Sequence, residues 1–138
     1  GLAATPAQAT ATRPGTPKIA WVAPPADYVA SSGKAVPAQA LDLLVRIVSM
    51  GKLHHAITGT GAVAVGAAAA VEGSIVAQAL RPGVVAGQDV RMGHTSGALA
   101  VGAKAEHTRE RGWVISQVSL SRSARRLMEG VVLVPPTA

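Results

Sequence analysis

Apolar and polar positions follow several periods along this chain, and each period predicts a different element. The apolar run Lys18–Ala23 is closed by two prolines, which indicates a strand. Between Pro37 and Met50 the apolar residues recur with the helical period, which predicts an amphipathic helix. That helix would carry an ion pair between Asp42 and Arg46, one turn apart, and would stop at Gly51.

A second helix is predicted where apolar residues cover the whole circumference. Gly61–Val71 contains only glycine, alanine and valine, and a helix of this composition is expected to be buried on all sides. The pattern after it predicts strands at Ser74–Ala79, Asp89–Gly93, Gly97–Ala105, Trp113–Leu120 and Val131–Val134. The chain therefore reads as an α+β fold in which β-strands wrap around a central apolar helix, with one amphipathic helix beside it. We expect residues 1–17 to be a flexible lead-in and residues 18–138 to form a single domain.

Composition narrows the chemistry that this domain can perform. The net charge of +6 suits an anionic substrate or a polyanionic partner, and charge alone does not separate the two. The absence of cysteine excludes disulfides, a thiolate nucleophile and Cys-ligated metals in this segment, and four histidines without cysteine make a poor metal set. We therefore expect no metal site. Neither a membrane span nor a signal peptide is predicted, so the expected compartment is the cytoplasm.

The first candidate site lies where the apolar helix begins. Thr58-Gly59-Thr60-Gly61 leads directly into the helix, whose first backbone N–H groups have no partner within the helix itself. Free N–H groups and the helix dipole together favour an anion. Two interpretations stay open: an anion-binding site, or a turn whose glycines merely allow a tight helix entry.

A second turn, Gly93-His94-Thr95-Ser96-Gly97, combines a histidine with two hydroxyls. Local hydroxyl hydrogen bonds in a β-turn explain these residues without a ligand, and a functional role is the alternative. The basic group Arg122, Arg125 and Arg126 either contacts phosphate or faces solvent and pairs with acids such as Glu129. Because aromatic residues do not interleave with these arginines, nucleic-acid binding is the less favoured interpretation.

Four motifs occur together and in order: Met50-Gly51-Lys52 with His54-His55-Ala56, Thr58–Val63, Gly93–Gly97, and Arg122–Gly130. In this combination the chain resembles the C-terminal half of the 2-methylaconitate cis-trans isomerase (PrpF-like) family, from about Pro17 to Pro135. That family also contains oxalomesaconate tautomerases and methylitaconate isomerases. The resemblance implies half of a diaminopimelate epimerase-like fold, in which two domains hold the substrate between the N-termini of their central helices.

The resemblance also implies the chemistry and its division between the two domains. The reaction is a cofactor-independent proton transfer that shifts a double bond in a di- or tricarboxylic acid of the methylaconitate, aconitate or oxalomesaconate type. The acid and base, a lysine and a cysteine, belong to the N-terminal domain, which we expect as the partner of this segment. We therefore assign no catalytic residue here and expect the isolated chain to be weakly active or inactive.

The residues expected to bind a small anionic carboxylate lie in these motifs, apart from Ser49, which directly precedes the first motif, and Lys18, at the start of the first strand. They are Lys18, Ser49, Met50, Gly51, His54, Thr58, Gly59, Thr60, Gly61, His94, Ser96 and Gly97. A structural role is the alternative for Lys18, His54 and His94, and His55 is expected to point away from the site. A non-catalytic anion-binding or assembly module and a basic nucleic-acid binder remain as other functions. Self-association through an exposed apolar face also stays open.

Overall fold

The computed structural model describes residues 3–85 and 87–135, and most of its strands form one sheet. The strands are β1 (Ile19–Ala23), β2 (Tyr28–Val29), β3 (Ala35–Val36), β4 (Leu43–Ser49), β5 (Lys52–Leu53), β6 (Val90–His94), β7 (Gly97–Thr108) and β8 (Gly112–Leu120). The helices are α1 (Pro6–Thr12), α2 (Gly59–Ala69) and α3 (Ile75–Gln78). Six strands pair in the order β1-β4-β6-β7-β8, with β5 folded back on the end of β4, and β2 pairs separately with β3.

The connection between β4 and β6 places α2 over the sheet. These two strands are parallel, with Leu43 opposite Met92, so the chain must cross over between them. The crossover contains α2 and α3, whereas the other pairs in the sheet are antiparallel. One end of α2 therefore lies near the turn that follows β6, where His94 is found.

The core lies between α2 and the sheet. Its buried members come from β4, α2, β6 and β7: Leu43, Val45, Ala62, Val65, Ala69, Val90, Met92 and Val101. Two glycines bring the helix backbone close to the strands. A Cβ on Gly61 would lie 2.4 Å from Cδ1 of Ile47, and a Cβ on Gly66 would lie 2.4 Å from Cγ1 of Val101. The small residues of α2 thus permit the close approach that a core without phenylalanine requires.

The structure confirms the apolar helix and the strands at 89–93, 97–105 and 113–120, with shifts at their ends. The expectation that α2 is buried on all sides is wrong for this chain. Gly61, Ala62, Val65, Gly66 and Ala69 are buried, whereas Val63 is 37% exposed. The outer face of α2 is therefore open to solvent here.

The amphipathic helix predicted at Pro37–Met50 is wrong. A short 3-10 turn at Ala38–Ala40 is followed by β4, in which Leu43, Val45 and Ile47 are buried and the residues between them are half-buried. Apolar residues on both faces of this strand imitated the helical period. The predicted pair of Asp42 with Arg46 does not form, because Asp42 binds Arg81 and Arg91 at 2.8 and 2.7 Å.

Two further predictions of strands are wrong. Ser74–Ala79 contains α3, which begins where the Ser74 hydroxyl accepts a hydrogen bond from the amide of Ala77 at 3.0 Å. Val131–Val134 is in no strand, and its side chains are 79–92% exposed because no described strand pairs with it.

The two ends of the chain complete the comparison with the sequence. The expected lead-in contains α1, none of whose residues is buried. The flexibility of residues 1–17 and the extent of the 18–138 domain stay predictions, and Gly1, Leu2 and residues 136–138 lie outside the described residues. Within the described parts of the chain, no helix is long and apolar enough to cross a bilayer.

Candidate anion-binding site

The N-terminus of α2 is capped by Thr58. Its hydroxyl accepts a hydrogen bond from the amide of Gly61 at 3.0 Å, and its carbonyl accepts one from the amide of Ala62 at 2.8 Å. The amides of Gly59 and Thr60 have no acceptor among the described residues. Two donors therefore stay available for an anion at the positive end of the helix dipole.

A cavity of about 310 Å³ opens beside this helix end. Its lining comes from the segment before α2, the turn after β6, β7, and the chain after β8: Ala56, Ile57, Gly59, His94, Leu99, Leu120, Ser121, Arg122 and Ser123. Among the described residues the lining contains no carboxylate. The cavity is thus small, basic and apolar on one side, which suits a small organic anion.

His94 is the most buried polar group of this cavity, at 9% exposure. Its Nδ1 lies 3.3 Å from the amide nitrogen of Ser96 and 3.3 Å from the Ser96 hydroxyl. Because Nδ1 accepts from the amide, the ring carries its proton on Nε2. Burial, then the charges of Arg46 and His54, lower the pKa of His94 below 6.5, so the imidazole is a neutral hydrogen-bond donor at neutral pH.

Tyr28 and Arg46 hold the turn that carries His94. The Tyr28 hydroxyl contacts the carbonyls of His94, at 2.8 Å, and Gly97, and burial raises the pKa of this phenol. The Arg46 guanidinium donates to the Gly93 carbonyl at 3.2 Å and lies 5.1 Å from the centre of the Tyr28 ring. Neither residue was predicted to belong to the site. The only sign in the sequence is that Tyr28 is the single tyrosine of the chain.

His54 lies beside this turn without lining the cavity. Its Nδ1 accepts a hydrogen bond from the amide of Ala56 at 3.1 Å, and its carbonyl accepts one from the Thr95 hydroxyl at 3.3 Å. The rings of His54 and His55 stack with centroids 4.7 Å apart, so these two side chains do not point in opposite directions as those of neighbours in an extended stretch would. His54 therefore supports the turn and contributes to the local electrostatics.

The remaining expected site residues occupy other places around α2. Lys18 lines a second cavity with Thr60 and Gly61, and its ammonium donates to the Gly15 carbonyl at 3.1 Å. Met50 and Gly51 line a third cavity, near α1. They form the turn between β4 and β5, both with positive φ, of 57° and 73°, a conformation that is uncommon for methionine. Ser49 pairs with Lys52 across the same turn.

Of the residues expected to bind a carboxylate, Gly59 and His94 line the same cavity. Ser96 is hydrogen-bonded to His94, and Thr58 caps α2. Arg122 also lines this cavity and is exposed to solvent, as one of the two interpretations of the arginine group expected. In the described part of the chain no group of three or more His, Asp or Glu residues is arranged to hold a metal ion.

Fold and site together define a helix-on-sheet unit with a candidate anion site at the N-terminus of α2. The chain belongs to the PrpF protein family, which it matches over residues 1–135. Over 126 residues it is 56% identical to the 2-methyl-aconitate isomerase of Shewanella oneidensis, covering 91% of this chain and 31% of that protein. It is 37% identical over 136 residues to the 3-methylitaconate isomerase of Eubacterium barkeri, covering 97% and 34% of the two chains.

A solved structure agrees with this assignment. The crystal structure of a methylitaconate-delta-isomerase matches 94% of this chain and 32% of its own, with a TM-score of 0.75 at 36% identity. The family resemblance and the α+β fold expected from the sequence are thus confirmed. The chain spans about a third of the length of the relatives that it matches.

Proposed function

We propose that this chain is the carboxylate-binding half of a PrpF-type isomerase that shifts a double bond in an unsaturated di- or tricarboxylic acid by proton transfer. The observation that carries the proposal is the cavity in which the N-terminus of α2, at Gly59, meets the buried His94. The names of its relatives, isomerases of 2-methylaconitate and 3-methylitaconate, support the same class of substrate.

The site supplies charge stabilisation to this reaction. Removing a proton from carbon beside a carboxylate spreads negative charge onto the carboxylate oxygens, and prearranged donors lower the energy of that state. The amides of Gly59 and Thr60 and the Nε2–H of His94 are such donors, and none of them needs to change protonation. His94 acts here as a neutral hydrogen-bond donor, because its lowered pKa keeps it uncharged.

The proton transfer itself needs an acid and a base within hydrogen-bond reach of the substrate carbon. The family resemblance assigns these roles to a lysine and a cysteine of an N-terminal domain, and this chain contains no cysteine. The expected partner is therefore that domain of the same enzyme, facing the helix N-terminus across the substrate. We further propose a cytoplasmic location, as for an enzyme acting on soluble carboxylates.

Isomerisation of 2-methylaconitate, followed by absorbance and chromatography, tests the proposal. The whole protein containing this chain should be active, whereas the 138-residue chain alone should be weakly active or inactive. The substitution His94→Ala, in the whole protein, should weaken substrate binding, because His94 is the buried donor that lines the cavity. An inactive whole protein, or a chain that is fully active alone, would contradict this division of labour.

A further inference from the structure

The hairpin formed by β2 and β3 lies against the five-residue turn that carries His94. The Tyr28 hydroxyl, on β2, contacts the carbonyls of His94, at 2.8 Å, and Gly97. In the loop of the hairpin, the amide of Ser31 donates a hydrogen bond to the carbonyl of Thr95 at 2.9 Å. Hydrogen-bond donors of the hairpin therefore reach three of the five carbonyls of this turn.

A small core holds the hairpin and the turn together. Ala30, Val36 and Leu41 are buried and form one cluster, and the ring of Tyr28 packs against it. The backbone of the turn touches the same cluster, since a Cβ on Gly93 would lie 2.7 Å from Cδ1 of Leu41 and 3.2 Å from Cε1 of Tyr28. Because closely packed groups transmit displacements to one another, the turn should follow any movement of the hairpin.

The position of the His94 ring depends on this turn. Its Nδ1 lies 3.3 Å from both the amide nitrogen and the hydroxyl oxygen of Ser96, so the ring is fixed relative to the turn itself. His94 lines the cavity together with Gly59, at the start of α2. The contacts that fix the turn therefore also fix the imidazole relative to the helix N-terminus. A displacement of about 1 Å is enough to disturb a group that contacts a substrate.

We propose that the β2–β3 hairpin positions His94 for the isomerase reaction, with the Tyr28 hydroxyl and the Ser31 amide as its positioning groups. This inference rests on the proposed function for the role of His94 at the substrate. Among the described residues, Tyr28 is not part of the cavity lining, and its hydroxyl is bonded to main-chain carbonyls. Tyr28 is thus a positioning residue, which acts on the reaction only through His94.

A double-mutant cycle in the whole protein tests whether Tyr28 acts through His94. Tyr28→Phe removes the hydroxyl and keeps the ring that packs on Gly93, so the fold should be retained. With 2-methylaconitate its kcat/KM should fall about 10- to 100-fold, the usual effect of misplacing a substrate-contacting group by about 1 Å. In a protein that already carries His94→Ala, the same substitution should change kcat/KM less than about twofold, because the ring to be positioned is gone.

Ser31→Pro provides a second variant, which leaves the phenol intact. Ser31 follows Ala30 in a β-turn that is closed by the amide of Gly33 donating to the Ala30 carbonyl at 2.8 Å, and this position of a turn favours proline. Proline removes the amide hydrogen that the Thr95 carbonyl accepts. Ser31→Pro should therefore also lower kcat/KM, and this loss should again disappear in the His94→Ala protein.

Ser74→Ala is the matched control for Tyr28→Phe. It too removes one hydroxyl that is bonded to the main chain, here to the carbonyl of Ala68 at 2.6 Å, where α3 begins. Ser74 lies at the other end of α2 from His94, so its loss should lower the melting temperature and change kcat/KM less than about twofold. Three results would overturn the inference: unchanged kcat/KM in both hairpin variants, equal losses with and without His94, or an equal loss in Ser74→Ala.

Nuclear magnetic resonance of the histidine-labelled whole protein separates this inference from the proposed function, with His94→Ala assigning the imidazole signal. Because burial lowers the pKa of His94, a displaced turn should raise this pKa back toward 6.5 in Tyr28→Phe and Ser31→Pro. If the pKa rises but the whole protein does not isomerise 2-methylaconitate, the function is wrong and the positioning of His94 stands. If the protein is active and neither the pKa nor kcat/KM changes, the function stands and the inference is wrong.

Discussion

Replacing Gly66 by alanine tests how tightly α2 is held against the sheet, and hence what fixes its N-terminus beside His94. The added Cβ would lie 2.4 Å from Cγ1 and 3.2 Å from Cβ of Val101. Val101 is 1% exposed and β-branched, so it has no free rotamer into which it can move away. The helix or the strand must therefore shift.

Two opposing contributions determine the size of the effect. Alanine favours a helix over glycine by about 1 kcal/mol, which would stabilise the variant. Overpacking a filled core costs about 1–3 kcal/mol. Because two atoms of a rigid neighbour lie within 3.2 Å of the new Cβ, we expect the steric cost to exceed the helical gain. The net loss of unfolding free energy should be about 1–2 kcal/mol.

Urea unfolding followed by circular dichroism measures this loss. Ala64→Gly, on the exposed face of α2, is the matched control and should cost about 1 kcal/mol through helix propensity alone. Combining Gly66→Ala with Val101→Ala should cost less than the sum of the two single changes, because the new methyl group fills the space that valine leaves. A Gly66→Ala variant as stable as the unmodified chain, or more stable, would refute the close packing described here.

Two further predictions concern titratable groups. Because burial and then Arg46 lower the pKa of His94 below 6.5, the unfolded chain binds more protons, and unfolding free energy should fall as pH decreases below about 6.5 toward the folded pKa. His94→Gln should flatten this loss in urea midpoints measured at pH 7.5 and pH 5.5, about one unit on either side of the ordinary histidine pKa of 6.5. An unchanged pH profile would contradict the assignment of this loss to His94. Asp42→Asn should lower unfolding free energy by about 2–3 kcal/mol, since the buried carboxylate accepts four hydrogen bonds from Arg81 and Arg91. Glu129→Gln, in an exposed pair, should cost under about 0.5 kcal/mol, and equal losses would contradict the role given to burial.

The elements predicted correctly are those in which local pattern and burial agree. In β8 the half-buried residues Val114, Val118 and Leu120 lie on one face, and a strand with one covered face shows the period of two in its sequence. The apolar composition of α2 likewise marks a helix that packs on a core. Its outer face could not be predicted, because the exposure of Val63 depends on what else covers the helix.

β4 was mispredicted because it contacts apolar groups on both faces. Leu43 and Val45 belong to the core under α2. Leu44 instead packs with Tyr28 against a second buried cluster, formed by Ala30, Val36 and Leu41. Such a strand has no polar face, so its sequence does not show the period of two that identifies strands. β4 pairs with β6, which lies more than 40 residues further along the chain in sequence. A local sequence pattern does not show which distant strand will be the neighbour.

The candidate site likewise combines features that the local sequence predicts with features that depend on the tertiary structure. The start of the helix at Thr58 and Gly59 could be predicted, since a helix cap is a local property of the sequence. Arg122 could not, because its position depends on the direction in which the chain leaves β8. Lys18 and Met50 lie in separate cavities around α2, so whether they contact the same substrate stays a prediction.

The distribution of charge explains how a small basic chain can offer a specific anion site. Asp42, the buried acid, is held by Arg81 and Arg91, and this cluster stabilises the crossover without exposing a negative charge. At the helix N-terminus the balance is reversed: Arg122 has no described acidic partner, and the neighbouring His94 is neutral. The net charge of +6 therefore matters less than the lining of this cavity, which contains no carboxylate among the described residues. An anion bound there would meet the amide of Gly59 without an acid beside it, whereas Arg81 and Arg91 already bind Asp42.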